Sequence, residues 1–360
     1  MSPHRSSRHI STGRSLARIA QATVIALGLA LQSGLAQAEP TIVKTAKAGT
    51  SLYEIEFDPA TRQLYVAAVG PRGANSAEIV ILDPESLEKK GAIELGETPA
   101  FGLGLSDKAR RLYTANTTRN SVTVIDLAEG KAVAEVKDGN PAHLRQVVID
   151  PDEDRIFVSK MGPREGKGFG GIWVINGKTN ALSEIKDLSQ GLTGLTRNPL
   201  TGNLFATDVR TNEVFEIDPD EGKVLRKFPS GGEGSINVLY DPTGDRLFVA
   251  NQKSGTVTVL DAKTGDLIKS IATGEGALSL AFDPSRKNLY VANRRAGTVS
   301  VVNGDTYEVI ANLETGTHPQ TIAIDPETGL VYVTNKTARG ERGKPPVEDP
   351  NGDTVAVIRP

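Results

Sequence analysis

The chain has 360 residues, no cysteine and a formal net charge of −3 at pH 7. The lack of cysteine excludes a disulfide framework and a thiolate nucleophile, and no segment after residue 38 is apolar enough to span a membrane. Because acidic residues slightly outnumber basic ones, binding to a polyanion would require a local segregation of charge.

The first 38 residues have the composition of a secretory signal peptide. Residues 1–18 contain four arginines and no acidic residue, residues 19–35 are an apolar stretch, and "AQA" at 36–38 has the small-x-small pattern of a cleavage site. We therefore predict that residues 1–38 are removed, that residues 39–360 form a single domain, and that the protein is periplasmic. Cleavage leaves 37 Lys and Arg against 44 Asp and Glu, a net charge of −7.

The remainder of the chain contains a sevenfold repeat. Clear copies are "RLYTANTTRNSVTVID" from Arg111, "RLFVANQKSGTVTVLD" from Arg246 and "NLYVANRRAGTVSVVN" from Asn288. One aromatic residue of the repeat recurs at intervals of 42 to 48 residues, at Tyr65, Tyr113, Phe157, Phe205, Phe248, Tyr290 and Tyr332. Seven copies at this period are typical of a propeller whose blades have four strands each.

Each copy supplies the strands that a blade needs. A first strand such as "LSLAFDP" (278–284) ends at Asp-Pro, where proline ends hydrogen bonding along the strand. "LYVAN" is the second strand, "TVSVV" the third, and a segment such as "DLIKSIATG" (266–274) the fourth. β-branched and aromatic residues dominate and no helical period is sustained, so we predict an all-β, seven-bladed propeller.

The two ends of the domain predict how the ring closes. The last copy provides only three strands, "QTIAID", "LVYVTN" and "DTVAVIRP", whereas "TIVKTAKA" at 41–48 is a strand without a blade. We predict that this N-terminal strand pairs with "TVAVI" and completes the seventh blade.

The repeat "YVAN…GTVxVxD" resembles that of the YVTN family of seven-bladed propellers. Together with the N-terminal segment, the closing strand and "GIWVINGKTNAL" around Trp173, the chain looks like the YncE-like group of periplasmic propellers. The resemblance implies a binding protein whose ligand is DNA, single-stranded DNA in particular. Because propellers host many activities, the repeat itself indicates the fold more strongly than the function.

Few residues outside the signal peptide suggest catalysis or metal binding. His143 and His318 precede or begin first strands, and with Arg145 they are candidates for the mouth of the central channel. The alternative is that both histidines are polar loop residues, since no acidic ligand cluster accompanies them. No G-x-S-x-G or H-E-x-x-H motif is present, and the repeated Asp-Pro pairs are explained as turns. We predict no catalytic residue, metal site or cofactor.

Basic residues are concentrated in the loops between second and third strands, the 2–3 loops. In a meander these loops share one face of the ring, the 2–3 face, with the 4–1 loops that connect successive blades. Every blade contributes a basic residue, thirteen in all against seven acids in the same loops: Arg72, Arg119, Lys160, Arg164, Lys167, Arg210, Lys253, Arg294, Arg295, Lys336, Arg339, Arg342 and Lys344. Such segregation attracts a polyanion despite a negative total, although solvated basic loops could arise by chance.

Phe169, between glycines in "GKGFGG", adds an aromatic residue to this basic face, as in proteins that bind single-stranded nucleic acids. Its alternative role is a loop anchor that packs beside Trp173. The predicted contacts for an anionic polymer are Arg72, Arg119, Arg164, Lys167, Phe169, Arg210, Lys253, Arg294, Arg295, Lys336 and Arg339.

Three functions remain open from the sequence. The first is a non-enzymatic periplasmic propeller that binds an anionic polymer on the 2–3 face, without membrane insertion. The second is an enzyme at the channel mouth, because YVTN-type propellers are similar to sugar-lactone hydrolases; His318, His143 and Arg145 would be its candidates. The third is an envelope interaction scaffold that binds a protein or an anionic glycan.

Overall fold

The computed structural model describes residues 39–71, 73–163, 168–338 and 348–360. The predicted signal peptide, residues 1–38, lies outside the described residues, as do the predicted ligand contacts Arg72, Arg164, Lys167 and Arg339. Within the described ranges, the regular structure consists of 28 β-strands. No helix there is long and apolar enough to cross a membrane.

The strands form seven four-stranded antiparallel sheets, the blades. Blade 1 contains Leu52–Asp58 (β2), Gln63–Ala68 (β3), Ala77–Leu82 (β4) and Lys89–Gly96 (β5). Blade 2 contains Gly102–Ser106 (β6), Arg111–Asn116 (β7), Ser121–Asp126 (β8) and Lys131–Val136 (β9). Blade 3 contains His143–Asp150 (β10), Arg155–Met161 (β11), Gly171–Asn176 (β12) and Leu182–Ile185 (β13). Blade 4 contains Leu192–Arg197 (β14), Leu204–Asp208 (β15), Glu213–Asp218 (β16) and Lys223–Pro229 (β17).

The last three blades follow the same order. Blade 5 contains Ser235–Asp241 (β18), Arg246–Asn251 (β19), Thr256–Asp261 (β20) and Leu267–Ala272 (β21). Blade 6 contains Ala277–Asp283 (β22), Asn288–Asn293 (β23), Thr298–Asn303 (β24) and Val309–Glu314 (β25). Blade 7 contains Pro319–Ile324 (β26), Val331–Asn335 (β27), Thr354–Arg359 (β28) and the N-terminal strand Thr41–Lys47 (β1).

The first strands of the blades form the inner ring. Each contacts the first strand of the next blade, and β26 contacts β2, so that the ring is continuous. The predicted closure is confirmed as well: β1 pairs antiparallel with β28, with Thr41 opposite Arg359 and Lys47 opposite Thr354. The all-β, seven-bladed propeller closed by its N-terminal strand is therefore the observed fold.

The hydrophobic core lies between neighbouring blades. A cluster of buried apolar side chains occupies each blade–blade interface, and all seven repeated aromatic residues are buried. At the closure, for example, Phe57 of blade 1 stacks on Tyr332 of blade 7, with ring centroids 6.0 Å apart. Because each sheet is covered on both faces, central strands such as β19 and β23 are buried along their whole length.

Candidate ligand-binding face and channel mouth

The 2–3 turns are held in place by the 4–1 loops beside them. In blades 5, 6 and 7 the first residue of the turn donates its backbone N–H to a 4–1 carbonyl: Gln252 to Gly234, Arg294 to Gly276 and Lys336 to His318, at 2.9–3.1 Å. The asparagine that precedes the turn is buried. In blade 6 Asn293 Nδ2 donates to Ser300 Oγ at 2.8 Å. The asparagines of the repeat are therefore structural, and in blades 5 and 6 the second residue after each of them, Lys253 and Arg295, is exposed.

Four of the predicted basic contact residues are exposed on the 2–3 face: Arg119, Arg210, Lys253 and Arg295. The turn geometry also places 4–1 acids beside two of them. Arg119 Nη2 lies 2.9 Å from Glu97 Oε2, and Arg295 Nη1 lies 3.5 Å from Glu275 Oε1. Since both partners of each pair are largely exposed, these ion pairs are weak, and an anionic group of a ligand can replace the carboxylate.

Other basic residues of this face are less accessible. Lys336 is only 6% exposed, and its Nζ lies 3.5 Å from the centroid of the Tyr53 ring. Lys160 is largely buried in an ion pair with Glu184, and Arg294 is half-buried. The structure therefore divides the described basic residues of this face into an exposed rim, defined as Arg119, Arg210, Lys253 and Arg295, and residues that are partly or fully buried.

Phe169 and Trp173 have contrasting environments. Trp173 is fully buried in β12 at the interface between blades 2 and 3, whereas the Phe169 side chain is 58% exposed. A loop anchor would bury most of its ring, so Phe169 does not have the burial expected of an anchor beside Trp173. Its ring is available to a ligand at the 2–3 face.

The channel mouth is shaped by β-bulges near the start of the first strands. Pairing between first and second strands shifts register there in six of the seven blades, all except blade 2. In blade 1 the shift falls between Leu52 and Ile55, at Tyr53 and Glu54. Thr334 and Thr321 donate their hydroxyls to the Tyr53 carbonyl at 2.7 and 3.0 Å. Bulges at this place redirect side chains, here at the inner ring.

Two glutamates of β2, Glu54 and Glu56, were not predicted as site residues. Burial raises the pKa of both to about 8; the charge of Glu56 adds to this for Glu54, and Arg145 of blade 3 opposes it. Both carboxyls are therefore largely protonated at neutral pH. The signal in the sequence was "YEIEF", since the first strands of the other blades carry uncharged residues such as Ser279 and Ala281 at the equivalent positions.

The structure does not bring the two histidines together, because His143 begins β10 in blade 3 and His318 precedes β26 in blade 7. Burial and then the charge of Arg294 lower the pKa of His318, with a further contribution from Lys336 and opposition from Asp349. Arg145 is exposed on β10 and acts electrostatically on Glu54. Among the described residues, no group of three or more His, Asp or Glu is placed to hold a metal ion.

Comparison with known proteins agrees with the fold. No family model matches the chain. It is 28% identical over 238 residues to the uncharacterized protein YncE of Salmonella typhi, and the match covers 62% of this chain and 65% of that protein, slightly under two thirds of its length. It is 26% identical over 258 residues to the uncharacterized protein YncE of Escherichia coli K12, which covers 68% and 71%. These similarities and the seven blades confirm the predicted resemblance to YncE-like propellers.

Proposed function

We propose that this chain is a non-enzymatic periplasmic binding propeller, exported by cleavage after residue 38, that holds an anionic polymer on its 2–3 face. The ligand is DNA, with single strands preferred because Phe169 offers a stacking surface. The sequence has no base-reading motif, so binding should not depend on base sequence. The lactone-hydrolase and protein-scaffold alternatives are retained as outcomes of the tests below.

The observation that carries this proposal is the availability of the rim side chains. Arg119, Arg210, Lys253 and Arg295 are exposed, and the contacts of their side chains are with surface groups such as Gln190, Glu97 and Glu275. A phosphate chain can replace such contacts at small cost, because exposed ion pairs contribute at most about 1 kcal/mol. Contacts to phosphate would then give affinity that is independent of sequence and sensitive to salt.

The test is binding of a fluorescently labelled single-stranded oligonucleotide across a salt series. Replacing Arg210, Lys253 and Arg295 by alanine removes three charges from adjacent blades 4, 5 and 6. We expect weaker binding and a log–log salt slope shallower by up to about 2, since each phosphate contact on a single strand contributes about 0.7.

A matched control removes three charges from the opposite face. Lys178, Lys223 and Lys263 are exposed in or next to 3–4 turns, so their replacement by alanine changes the net charge equally. Arg110 is unsuitable for this purpose because it is bonded to the buried Asp58. Equal losses from the two triple variants would show that binding follows total charge and would contradict the proposal.

Two further measurements separate the alternatives. An acidic protein of similar charge density should bind much more weakly than the oligonucleotide; equal binding would favour the scaffold. Hydrolysis of a sugar lactone that is lost on replacing His318 would favour the enzyme.

A further inference from the structure

Internal comparison of the blades singles out His318. In blades 1, 4, 5, 6 and 7 the residue just before the first strand accepts, through its carbonyl, the backbone N–H of the first residue of the 2–3 turn. In blades 5 and 6 it is Gly234 and Gly276, with φ of +70° and +80°, and in blade 7 it is His318, with φ of +46°. Blades 5 and 6 therefore use a left-handed backbone conformation that suits glycine, and blade 7 places an imidazole there.

That conformation is unfavourable for a residue with a β-carbon, and Pro319 restricts the preceding backbone further. Ser51 holds the same position in blade 1, with φ of +59°, so the two adjoining blades 7 and 1 combine a side chain with the left-handed conformation there. His143 occupies the aligned position in blade 3 but does not have a positive φ. Strained backbone of this kind is often found where a side chain has a functional task. Nothing in the turn itself requires histidine, since glycine serves in blades 5 and 6.

The surroundings of His318 are cationic on the side of the channel mouth. Its carbonyl accepts from the Lys336 amide, and the Lys336 ammonium lies over the ring of Tyr53, which is itself packed edge-on against Phe101 at 4.7 Å. The adjacent blade-6 turn carries Arg294, and Gly297 of that turn lies against Gly316 of the His318 loop. Asp349 is the acid that acts on His318, and its carboxylate already accepts from Thr317 Oγ1 and the amides of Ala338 and Asn351.

We propose that the channel mouth at blades 6, 7 and 1 is a binding site for a single tetrahedral oxyanion of the phosphate or sulfate class. His318 and Arg294 supply hydrogen-bond donors to the anion, and Lys336, held by Tyr53, supplies positive charge from beneath. The carboxylate of Asp349 is occupied by its own hydrogen bonds, which keep it directed at the loop. This site shares the 2–3 face with the polymer but does not depend on polymer binding.

Sulfate is the probe for the first test because it stays doubly charged between pH 5 and 8. The imidazole proton resonance of His318 is identified in the full chain as the one missing from the spectrum of His318→Gly. We expect sulfate to raise the pKa of His318, since a bound dianion favours the imidazolium, and to leave that of His143 unchanged. A pKa of His318 that does not respond to sulfate overturns the proposal.

Two substitutions separate ligand binding from backbone conformation. His318→Gly restores the residue used in blades 5 and 6, and His318→Ala keeps the β-carbon without the imidazole. Both should weaken sulfate binding about tenfold, the loss of a charge-assisted hydrogen bond, and the glycine variant should melt at or above the wild-type temperature. Wild-type sulfate affinity in His318→Gly would overturn the site, and this variant is expected to fold even if His318→Ala does not.

The source of the anion is decided with oligonucleotides that carry a 5′-phosphate or a 5′-hydroxyl. A preference for the phosphorylated strand that disappears in His318→Gly assigns the site to a strand end; equal affinity assigns it to a free anion. Failure of the two proposals is distinguishable. The Arg210, Lys253 and Arg295 triple variant should lose oligonucleotide affinity and keep its sulfate response. If the wild-type protein binds sulfate but does not bind oligonucleotides, only the proposed function is refuted.

Discussion

The two faces of the ring use arginine in opposite ways. On the face with the 1–2 and 3–4 turns, Arg246, Arg110 and Arg62 bind Asp241, Asp58 and Asp325, whose carboxylates are fully buried at the ends of first strands. On the 2–3 face, Arg119 and Arg295 contact exposed glutamates. The same residue type thus stabilises the fold on one face and remains available to a ligand on the other.

The buried acid explains the difference. Asp241 ends β18 and its Oδ1 accepts from the Thr243 amide and hydroxyl at 2.9 and 2.6 Å, so its buried carboxylate fixes the turn and requires its arginine partner. Glu97 and Glu275 have no comparable role in their turns. The two faces therefore differ in the partners of their arginines, which are buried aspartates on one face and exposed glutamates on the other.

The largest effect is expected from breaking a buried pair. Arg246 Nε donates to Asp241 at 2.8 Å and Arg246 Nη1 donates to the Gly304 carbonyl and the Tyr307 hydroxyl. Arg246→Met leaves the buried carboxylate unpaired and should lower the free energy of unfolding by about 3–5 kcal/mol in urea titrations. Arg295→Met should stay within about 0.5 kcal/mol of wild type. Similar losses from the two variants would abolish the distinction between the faces.

A second prediction concerns the channel between the faces. The pKa of Glu54 and Glu56 is raised from 4.5 to about 8, so the folded protein retains protons that the unfolded chain releases. The stability associated with these groups is fully present below pH 4.5 and decreases as the pH rises to about 8. Glu54→Gln or Glu56→Gln should stabilise the protein by about 1–3 kcal/mol at pH 8 and hardly at pH 4. A gain that is the same at both pH values would show that ionisation is not its cause.

The third prediction concerns an uncharged side chain of the 2–3 face. Phe169→Ala should change the unfolding free energy by no more than about 0.5 kcal/mol, because the ring is 58% exposed. If a base stacks on this ring, binding of a single-stranded oligonucleotide should weaken by about 1–3 kcal/mol. Measuring double-stranded DNA in parallel provides the control, since its stacked bases cannot reach the ring. Unchanged single-strand affinity would place the polymer away from the loop at 168–171.

The smallest effect should come from removing the acids of the rim. Glu97→Gln and Glu275→Gln together release Arg119 and Arg295 from exposed ion pairs. Oligonucleotide affinity at low salt should rise about two- to fivefold, with almost no change in stability, because such pairs contribute about 0.2–1 kcal/mol each. Weaker binding would mean that the glutamates orient the arginines for the ligand.

Much of the site was predictable because the repeat fixes where each loop lies. The alignment of Tyr290 with its six equivalents placed Arg294, Arg295 and Lys253 on one face without any contact information. The same alignment could not show that Lys336 lies under the surface against Tyr53, because the two residues are 283 positions apart in sequence and meet only through ring closure. The alignment also could not predict the positive φ of His318, because the glycine of the neighbouring sequence "GTHPQ" stands two positions earlier and a histidine occupies the position itself.

The sequence by itself determined the architecture: a period of 42 to 48 residues, strands ended by Asp-Pro and a spare N-terminal strand leave a closed seven-bladed ring as the arrangement that buries every blade on both faces. Only the tertiary structure decided which charges are available. Pairing of Arg110 with Asp58 and of Arg119 with Glu97 joins different blades or loops, and Arg145 of blade 3 acts electrostatically on Glu54 of blade 1. Such contacts depend on the curvature of the ring and on burial, which local sequence patterns do not encode.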